Sequence, residues 1–159
     1  MTPALQFGLA DDGIAYVERH ATFGLVFHDQ MLACVRVARD IPYYDLPGGA
    51  VDGDETETQA LIREFIEETG MTVRPTMRFV ETAQYFRKSD GSPVNNIGGI
   101  WIAEMHALDP ALKVEDDHEL VWLHPRTALV QLRHDAHAWA VARWLRHLDP
   151  MNSLEQSST

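Results

Sequence analysis

The sequence predicts a mixed α/β sandwich, and three observations predict it. Strand-like runs fill most of the chain, two helical segments interrupt them, one embedded and one near the C-terminus, and no repeat or internal linker divides it. At 159 residues the chain is one ordinary domain, expected over 1–148, with enough length to close a core. Hydrophobic residues make up 45% and charged residues 23%, both ordinary for a globular protein. No apolar run approaches the roughly 20 residues that span a bilayer. The N-terminus, MTPALQFGLADDG, has no basic stretch and places two Asp where a signal peptide is apolar, so a cytoplasmic location is expected.

In chain order, Thr22 to Phe27 and Met31 to Val37 are β-rich runs separated by His28-Asp29-Gln30, which reads as a hairpin. Tyr43 to Gly49 is a short strand broken by Pro47 and two glycines. Acidic turn residues, Asp52-Gly53-Asp54, lead into a helix from about Glu55 to Thr69 that stops at Gly70. Met77 to Phe86 and Gly98 to Met105 read as strands joined by the turn-rich Lys88 to Pro93, and Glu119 to Leu123 as another. A last helix is expected from Arg133 to His147, with Trp139 and Trp144 on its packing face. Residues 149–159 are small and polar, and a frayed tail is expected there.

Charge and cysteine content narrow the function. The net charge is −11, which repels polyanions, so polymeric DNA or RNA is a disfavoured partner. A small phosphorylated substrate remains compatible if cations mediate its approach. Cys34 is the single cysteine, so no internal disulfide can form, and its apolar run reads as a buried thiol.

The embedded helix carries the chemistry. At about 100° per residue, Leu61, Ile62, Phe65 and Ile66 fall within an arc of roughly 140°, while Glu57, Glu64, Glu67 and Glu68 share an opposing arc of roughly 100°. Carboxylates about 5 Å apart repel by roughly 3 kcal/mol per pair at an effective dielectric of about 20. Either solvent screens that repulsion, or a hard cation takes the oxygens as ligands. The context favours the cation. Leu46-Pro47-Gly48-Gly49 lets backbone approach a ligand closely, Asp54 and Glu57 have the spacing of a capping box, and Arg63 can hold neighbouring carboxylates in fixed rotamers.

The stretch GAVDGDETETQALIREFIEETGM resembles the Nudix box, G-x5-E-x7-R-E-U-x-E-E-x-G-U with U apolar. Gly49, Glu55, Arg63, Glu64, Glu67, Glu68 and Gly70 fill its fixed positions, and Phe65 and Met71 its apolar ones, Phe being bulkier than the usual aliphatic. The preceding YYDLPGG and the later DHELVWL are also similar to the Nudix family, so the resemblance runs from about residue 20 to 147. The implied fold is the Nudix α/β/α sandwich, a mixed β-sheet between helices. The implied activity is hydrolysis of a pyrophosphate bond in a nucleoside diphosphate linked to another group, by in-line attack of water at phosphorus. Mg²⁺ is the implied cofactor, with Mn²⁺ as a substitute. Glu67 and Glu68 are the implied metal ligands, Glu64 a ligand or the base, and the Gly48 carbonyl a further ligand. Glu55 and Arg63 are an implied supporting pair. A glutamate outside the box often serves as base in this family, so the choice stays open among Glu64, Glu115 and Glu119.

Further candidates lie outside the box. Tyr85 and Phe86 lie where the family often places residues that stack a base, with core packing as the alternative. His118, beside Glu119, is a candidate substrate contact, and Arg19, Arg36 and Arg87 are candidate phosphate contacts against ordinary surface placement. His134 and His137 have helical i+3 spacing but read as a solvated face, because no further ligand lies at metal-site spacing. Neither the Pro that marks ADP-ribose hydrolases nor the Tyr that marks dinucleoside polyphosphate hydrolases falls at its place beyond the box. The competing class is a non-catalytic Nudix-fold sensor of nucleotides, although such modules usually lose box glutamates and this box is complete. A simple calcium loop is set aside, since Asp52-Gly53-Asp54-Glu55 lacks alternating oxygen ligands. A homodimer is compatible with the resemblance.

Overall fold

A computed structural model describes residues 4–148; the expected tail at 149–159 lies outside the described residues. Two sheets form the middle layer. Strands β1 (Leu5–Phe7), β2 (Val17–Leu25), β6 (Gly48–Ala50), β7 (Met71–Arg87) and β8 (Pro93–Leu108) make a five-stranded sheet in the order β1-β7-β8-β2-β6. It is mixed: β1 runs parallel to β7 and β2 to β8, while β7/β8 and β2/β6 are antiparallel. In the second sheet β4 (Met31–Val37) pairs with β9 (His118–Leu123) and with β3 (Phe27–His28) and β5 (Tyr43–Asp45).

Helices cover both sides. Helix α1 (Glu57–Thr69) buries Leu61 and Phe65 in a cluster with Val26, Ala33, Met71, Val73 and Ala103. Helices α2 (Pro125–Gln131) and α3 (Asp135–His147) close a second cluster, in which Ala128, Ala140 and Val141 meet Leu25, Leu32, Cys34 and Leu46. On β4 the residues alternate between the two clusters, Leu32 and Cys34 to one and Ala33 to the other, as a strand between two helical layers must. The arrangement is the expected α/β/α sandwich, with two sheets in place of one. Among the described residues no helix is long and apolar enough to cross a membrane.

Several elements follow from local chemistry. Asp29 and Gln30 both take left-handed backbone, φ 49° and 66°, giving the two-residue turn that joins β3 to β4. The strands β7 and β8 are longer than expected. Pro75 argues against a strand interior, yet it is tolerated at a register shift between Pro75 and Met77. Helix α2, unpredicted, starts with His124 as N-cap and Pro125 in the first turn. Cys34 is fully buried, and burial pushes its thiol up to about 12.

The helix α1 start differs from expectation. Thr56 is the N-cap: its hydroxyl accepts from Gln59 N (3.2 Å), and the Gln59 side chain accepts from Thr56 N (2.9 Å). Asp54 and Glu57 are therefore not the capping pair. Glu57 instead accepts from Arg78 Nε and Nη2 (both 3.0 Å), Trp101 Nε1 (2.9 Å) and Gly99 N (3.3 Å), and pairs with His20 Nε2 (2.8 Å). It pins the helix to β2, β7 and β8. Burial alone would raise its pKa, but the hydrogen bonds, Arg78 first, bring it down to about 2 from 4.5. The sign is that of a depressed carboxylate: the stabilisation is complete above the unfolded value and is lost as pH falls through the folded one. Glu57→Gln is expected to be less stable than the parent near neutral pH, by at most about 3 kcal/mol. That gap should close between about pH 5 and pH 2, which urea titrations at a series of pH values will measure.

Candidate active site

The glutamates of α1 are graded in burial by their place on the helix. Glu67 sits farthest from the apolar arc and its side chain is 32% exposed; Glu64 is 15% exposed; Glu68, bordering Leu61, is 7% exposed. Glu57 shares their arc but lies about 10 Å up the axis, seven residues at about 1.5 Å each, where the sheet has already engaged it. The acidic arc therefore divides into one anchor and three carboxylates farther along the helix.

The glycine loop fits closely against these carboxylates. A Cβ at Gly49 would lie 2.7 Å from the Glu64 carboxyl, so only glycine lets that carboxyl lie against the β6 backbone. Gly48 has φ 145°, a side chain there would meet the Thr22 carbonyl at 2.2 Å, and its amide donates to Glu68 Oε1 (2.8 Å). The Gly48 N–H thus holds a box carboxylate, while its carbonyl is the group that the resemblance implies as a metal ligand. Gly70 closes the helix at φ 75°, and a Cβ there would run into the Asp109 carbonyl at 2.3 Å.

Arg63 ties the carboxylates together. Its Nε and Nη2 donate to the two oxygens of Glu55 (both 2.8 Å), Nη2 also to the Ala50 carbonyl (3.0 Å), and Nη1 to Glu64 (2.9 Å) and Glu67 (3.3 Å). Glu55, held by Arg63 and by the Asp52 amide, falls to about 2. One guanidinium corner between Glu64 and Glu67 shows that both carboxylates converge on a single positive charge. Burial raises the pKa of Glu64 against the pull of Arg63, and the neighbouring Glu67 and Asp52 raise it further.

His118 reaches the site but contacts a carboxylate there. Its Nε2 lies 3.1 Å from Glu68 Oε2 and its Nδ1 2.7 Å from Asp117 Oδ1. With an acceptor on each nitrogen, His118 is raised to about 9, chiefly by Glu68, and donates on both sides as an imidazolium. Burial raises Glu68, while His118 and the Gly48 amide hold it down. Glu115 comes to the same end of α1: its amide donates to the Glu67 carbonyl (2.9 Å), and its carboxylate lies within 4.8 Å of ligand atoms of Asp117 and His118. That trio carries no open imidazole nitrogen, because both are already used.

Glu119 does not share this side. Along β9, Leu120 and Trp122 pack in the α1 cluster and Val121 and Leu123 in the α2/α3 cluster, so Glu119 shares the face opposite to His118. The structure thus brings Glu115 beside His118, whereas the side chain of Glu119 leaves β9 on the other face. Tyr85 and Phe86 separate in the same way. Tyr85 packs edge-on against Tyr16 (5.0 Å), whereas Phe86 meets His134 (4.9 Å) and lies 5.9 Å from the Arg19 guanidinium and 5.5 Å from that of Arg133. Arg133 stacks over Tyr43 (3.8 Å) and pairs with Asp45 (2.7 Å). Arg19 is half-buried, its Nε donating to Asn96 Oδ1 (2.8 Å), and among the described residues no carboxylate lies within salt-bridge distance. Burial lowers its pKa, and the charges of Glu64 and Asp52 partly restore it, which places it beside the box. Arg87 is committed to Asp11 (2.6 Å).

His134 and His137 are not a solvated face. Both are buried, 4% and 2% exposed; His137 Nδ1 accepts from the Leu46 amide (3.2 Å), and burial lowers both, His134 to about 4. They continue the stripe of Ala140, Val141 and Trp144 at helical spacing, which was the signal for their burial. Trp144 packs on Phe79 and Trp139 on Phe7, as a packing face requires.

Comparison with known proteins agrees with this architecture. A family model described as NUDIX domain matches residues 18–147. A curated protein of Bacillus subtilis (strain 168), described as "Putative 8-oxo-dGTP diphosphatase", is 40% identical over 48 residues, covering 30% of this chain and 32% of that protein. The match thus spans about a third of the curated relative. Among solved structures, a NUDIX hydrolase from Nitrosomonas europaea superposes with a TM-score of 0.69 at 16% identity, covering 82% of this chain and 90% of that one. The MutT NUDIX hydrolase from Burkholderia pseudomallei gives 0.59 at 22% identity, covering 79% and 96%.

Proposed function

The chain belongs to the NUDIX domain family, and on that footing we propose that it hydrolyses a pyrophosphate bond in a nucleoside diphosphate linked to a further group. The observation that carries this reading is the convergence of Glu64 and Glu67 on one positive charge, with Glu68 beside them and a glycine backbone where a Cβ would fill the space. Glu67 and Glu68 would hold a hard divalent cation, Mg²⁺ or in its place Mn²⁺, since both donors are carboxylate oxygens. Such an ion, when bound, neutralises charge at the phosphoryl oxygens and acidifies water.

The chain's own residues supply the rest. Arg63, clamped by Glu55, holds Glu64 and Glu67 in fixed rotamers and offsets their mutual repulsion. Glu64 is our choice for the group that takes the proton from the attacking water, because burial lifts it toward the range in which a carboxylate is an effective base. Arg19, half-buried beside the box and with no hydrogen bond from its terminal nitrogens among the described residues, suits a phosphate oxygen of the substrate. Beyond it, Phe86, Arg133 and Tyr43 offer alternating aromatic and guanidinium planes on which a flat base can stack.

The experiment is a turnover panel with Mg²⁺: 8-oxo-dGTP, unmodified nucleoside triphosphates, nucleotide sugars, dinucleotides and inorganic pyrophosphate. Hydrolysis of at least one nucleotide, with inorganic pyrophosphate left intact, is the expected result. Binding of nucleotides without turnover of any would replace this reading with that of a sensor.

A further inference from the structure

We propose that Arg39, Asp117 and His118 form a positioning relay for Glu68, through which a surface arginine tunes how tightly the carboxylate site holds a divalent cation. The proposal rests on the reading of Glu68 as a metal ligand. The chain of contacts is continuous. Glu68 Oε2 meets His118 Nε2 at 3.1 Å, His118 Nδ1 meets Asp117 Oδ1 at 2.7 Å, and Asp117 Oδ2 accepts from Arg39 Nη1 at 2.7 Å. Side chains alternate along it, carboxylate, imidazole, carboxylate, guanidinium. Exposure falls inward, from 36% at Arg39 and 40% at Asp117 to 19% at His118 and 7% at Glu68.

The backbone fastens this chain to the helix that carries Glu68. The amides of Val114 and Glu115 donate to the Glu67 carbonyl (2.8 and 2.9 Å), and Ala38 N donates to the Asp117 carbonyl (2.9 Å). Lys113 Nζ donates to the carbonyls of Glu115 and His118, both at 2.7 Å, and so holds the intervening turn. The loop before β9 cannot shift without disturbing the last turn of α1.

The contact orients Glu68 and leaves it available. Each carboxylate oxygen has two lone-pair sites, so the Gly48 amide on Oε1 and His118 on Oε2 each leave one site for a cation. Two donors from different directions fix the plane of the carboxylate. The orientation of the His118 ring is in turn fixed by Asp117, and that of Asp117 by Arg39. Partners of this kind are typically worth 10- to 100-fold in metal affinity, whereas an isolated surface ion pair such as Arg39–Asp117 contributes little by itself. The relay makes that exposed pair matter at a buried ligand.

The test measures Mn²⁺ affinity by electron paramagnetic resonance without substrate, alongside thermal melting, for the full chain and its variants. His118→Ala is expected to weaken Mn²⁺ binding by about 10- to 100-fold. Asp117→Asn and Arg39→Gln should weaken it by smaller factors, and the Arg39→Gln effect should vanish in the His118→Ala background. Wild-type Mn²⁺ affinity in both Asp117→Asn and Arg39→Gln would overturn the relay, as would a full additive loss in the double variant. These two variants lie at the surface, so the test survives if His118→Ala fails to fold. Absence of Mn²⁺ binding by the wild-type chain would instead overturn the reading of Glu68 as a ligand.

Discussion

Glu64→Gln is expected to lower kcat by about 10² to 10⁴ while leaving KM nearly unchanged. Glutamine keeps the shape that fits against Gly49, and its carbonyl can still accept the bond from Arg63 Nη1, so the surroundings of the residue persist. What is lost is the anion that takes a proton. Burial raises the Glu64 pKa, and the acid limb of the kcat profile reports it: activity falls as pH drops through that value and Glu64 becomes protonated. Glu64→Gln should lose this limb along with the rate. Steady-state kinetics at saturating Mg²⁺ across pH supply both readings. A kcat within a few-fold of wild type would move the role to Glu115, the other candidate on the same side of the sheet.

Phe65→Ala is expected to cost about 3 to 5 kcal/mol of stability, the largest packing effect in the molecule. Phe65 is the largest of the fully buried side chains and joins α1 to β4, β7 and β8 through Ala33, Val73 and Ala103, and to Val26 between β2 and β3. Its ring is accommodated by Gly24, where a Cβ would lie only 2.7 Å from Phe65 Cε2. The aromatic on the box helix and the glycine on the facing strand are thus one packing solution. Calorimetry should show a Tm lowered by on the order of 10 °C. A loss below about 1 kcal/mol would mean that the cavity collapses, contrary to the rigid sheet against which Phe65 packs.

The helix, its arc and the Arg63 clamp were legible because they depend on spacing within some twenty residues, and helical periodicity dictates which groups meet. The hairpin at His28-Asp29-Gln30 was legible for the same reason, although His28 pairs with Met31 and leaves Asp29-Gln30 as the turn. The choice of N-cap was not. Thr56/Gln59 and Asp54/Glu57 both satisfy the capping pattern, and the decision falls to Arg78, His20 and Trp101, which draw Glu57 onto the sheet from distant strands. Glu119 was misplaced because strand parity, fixed by the pairing of β9 with β4, turns every second side chain away from α1. His118 and Asp117 acquire their roles only when β9 docks beside the end of α1. Pro75 masked the first part of β7 because a register shift, invisible in sequence, absorbs it. Arg19 stood out only once folding placed it near Glu64 without a carboxylate of its own.

Mg²⁺-dependent release of phosphate or pyrophosphate, measured on the best substrate of the panel for the wild-type chain beside Glu67→Gln and Glu68→Gln, tests whether these carboxylates hold the metal for hydrolysis. Turnover in the wild type should be abolished by a chelator and restored by Mg²⁺, with each variant losing most of it at the same Mg²⁺ concentration. If Glu67→Gln and Glu68→Gln both kept wild-type Mg²⁺-dependent turnover, these carboxylates would not be the metal site.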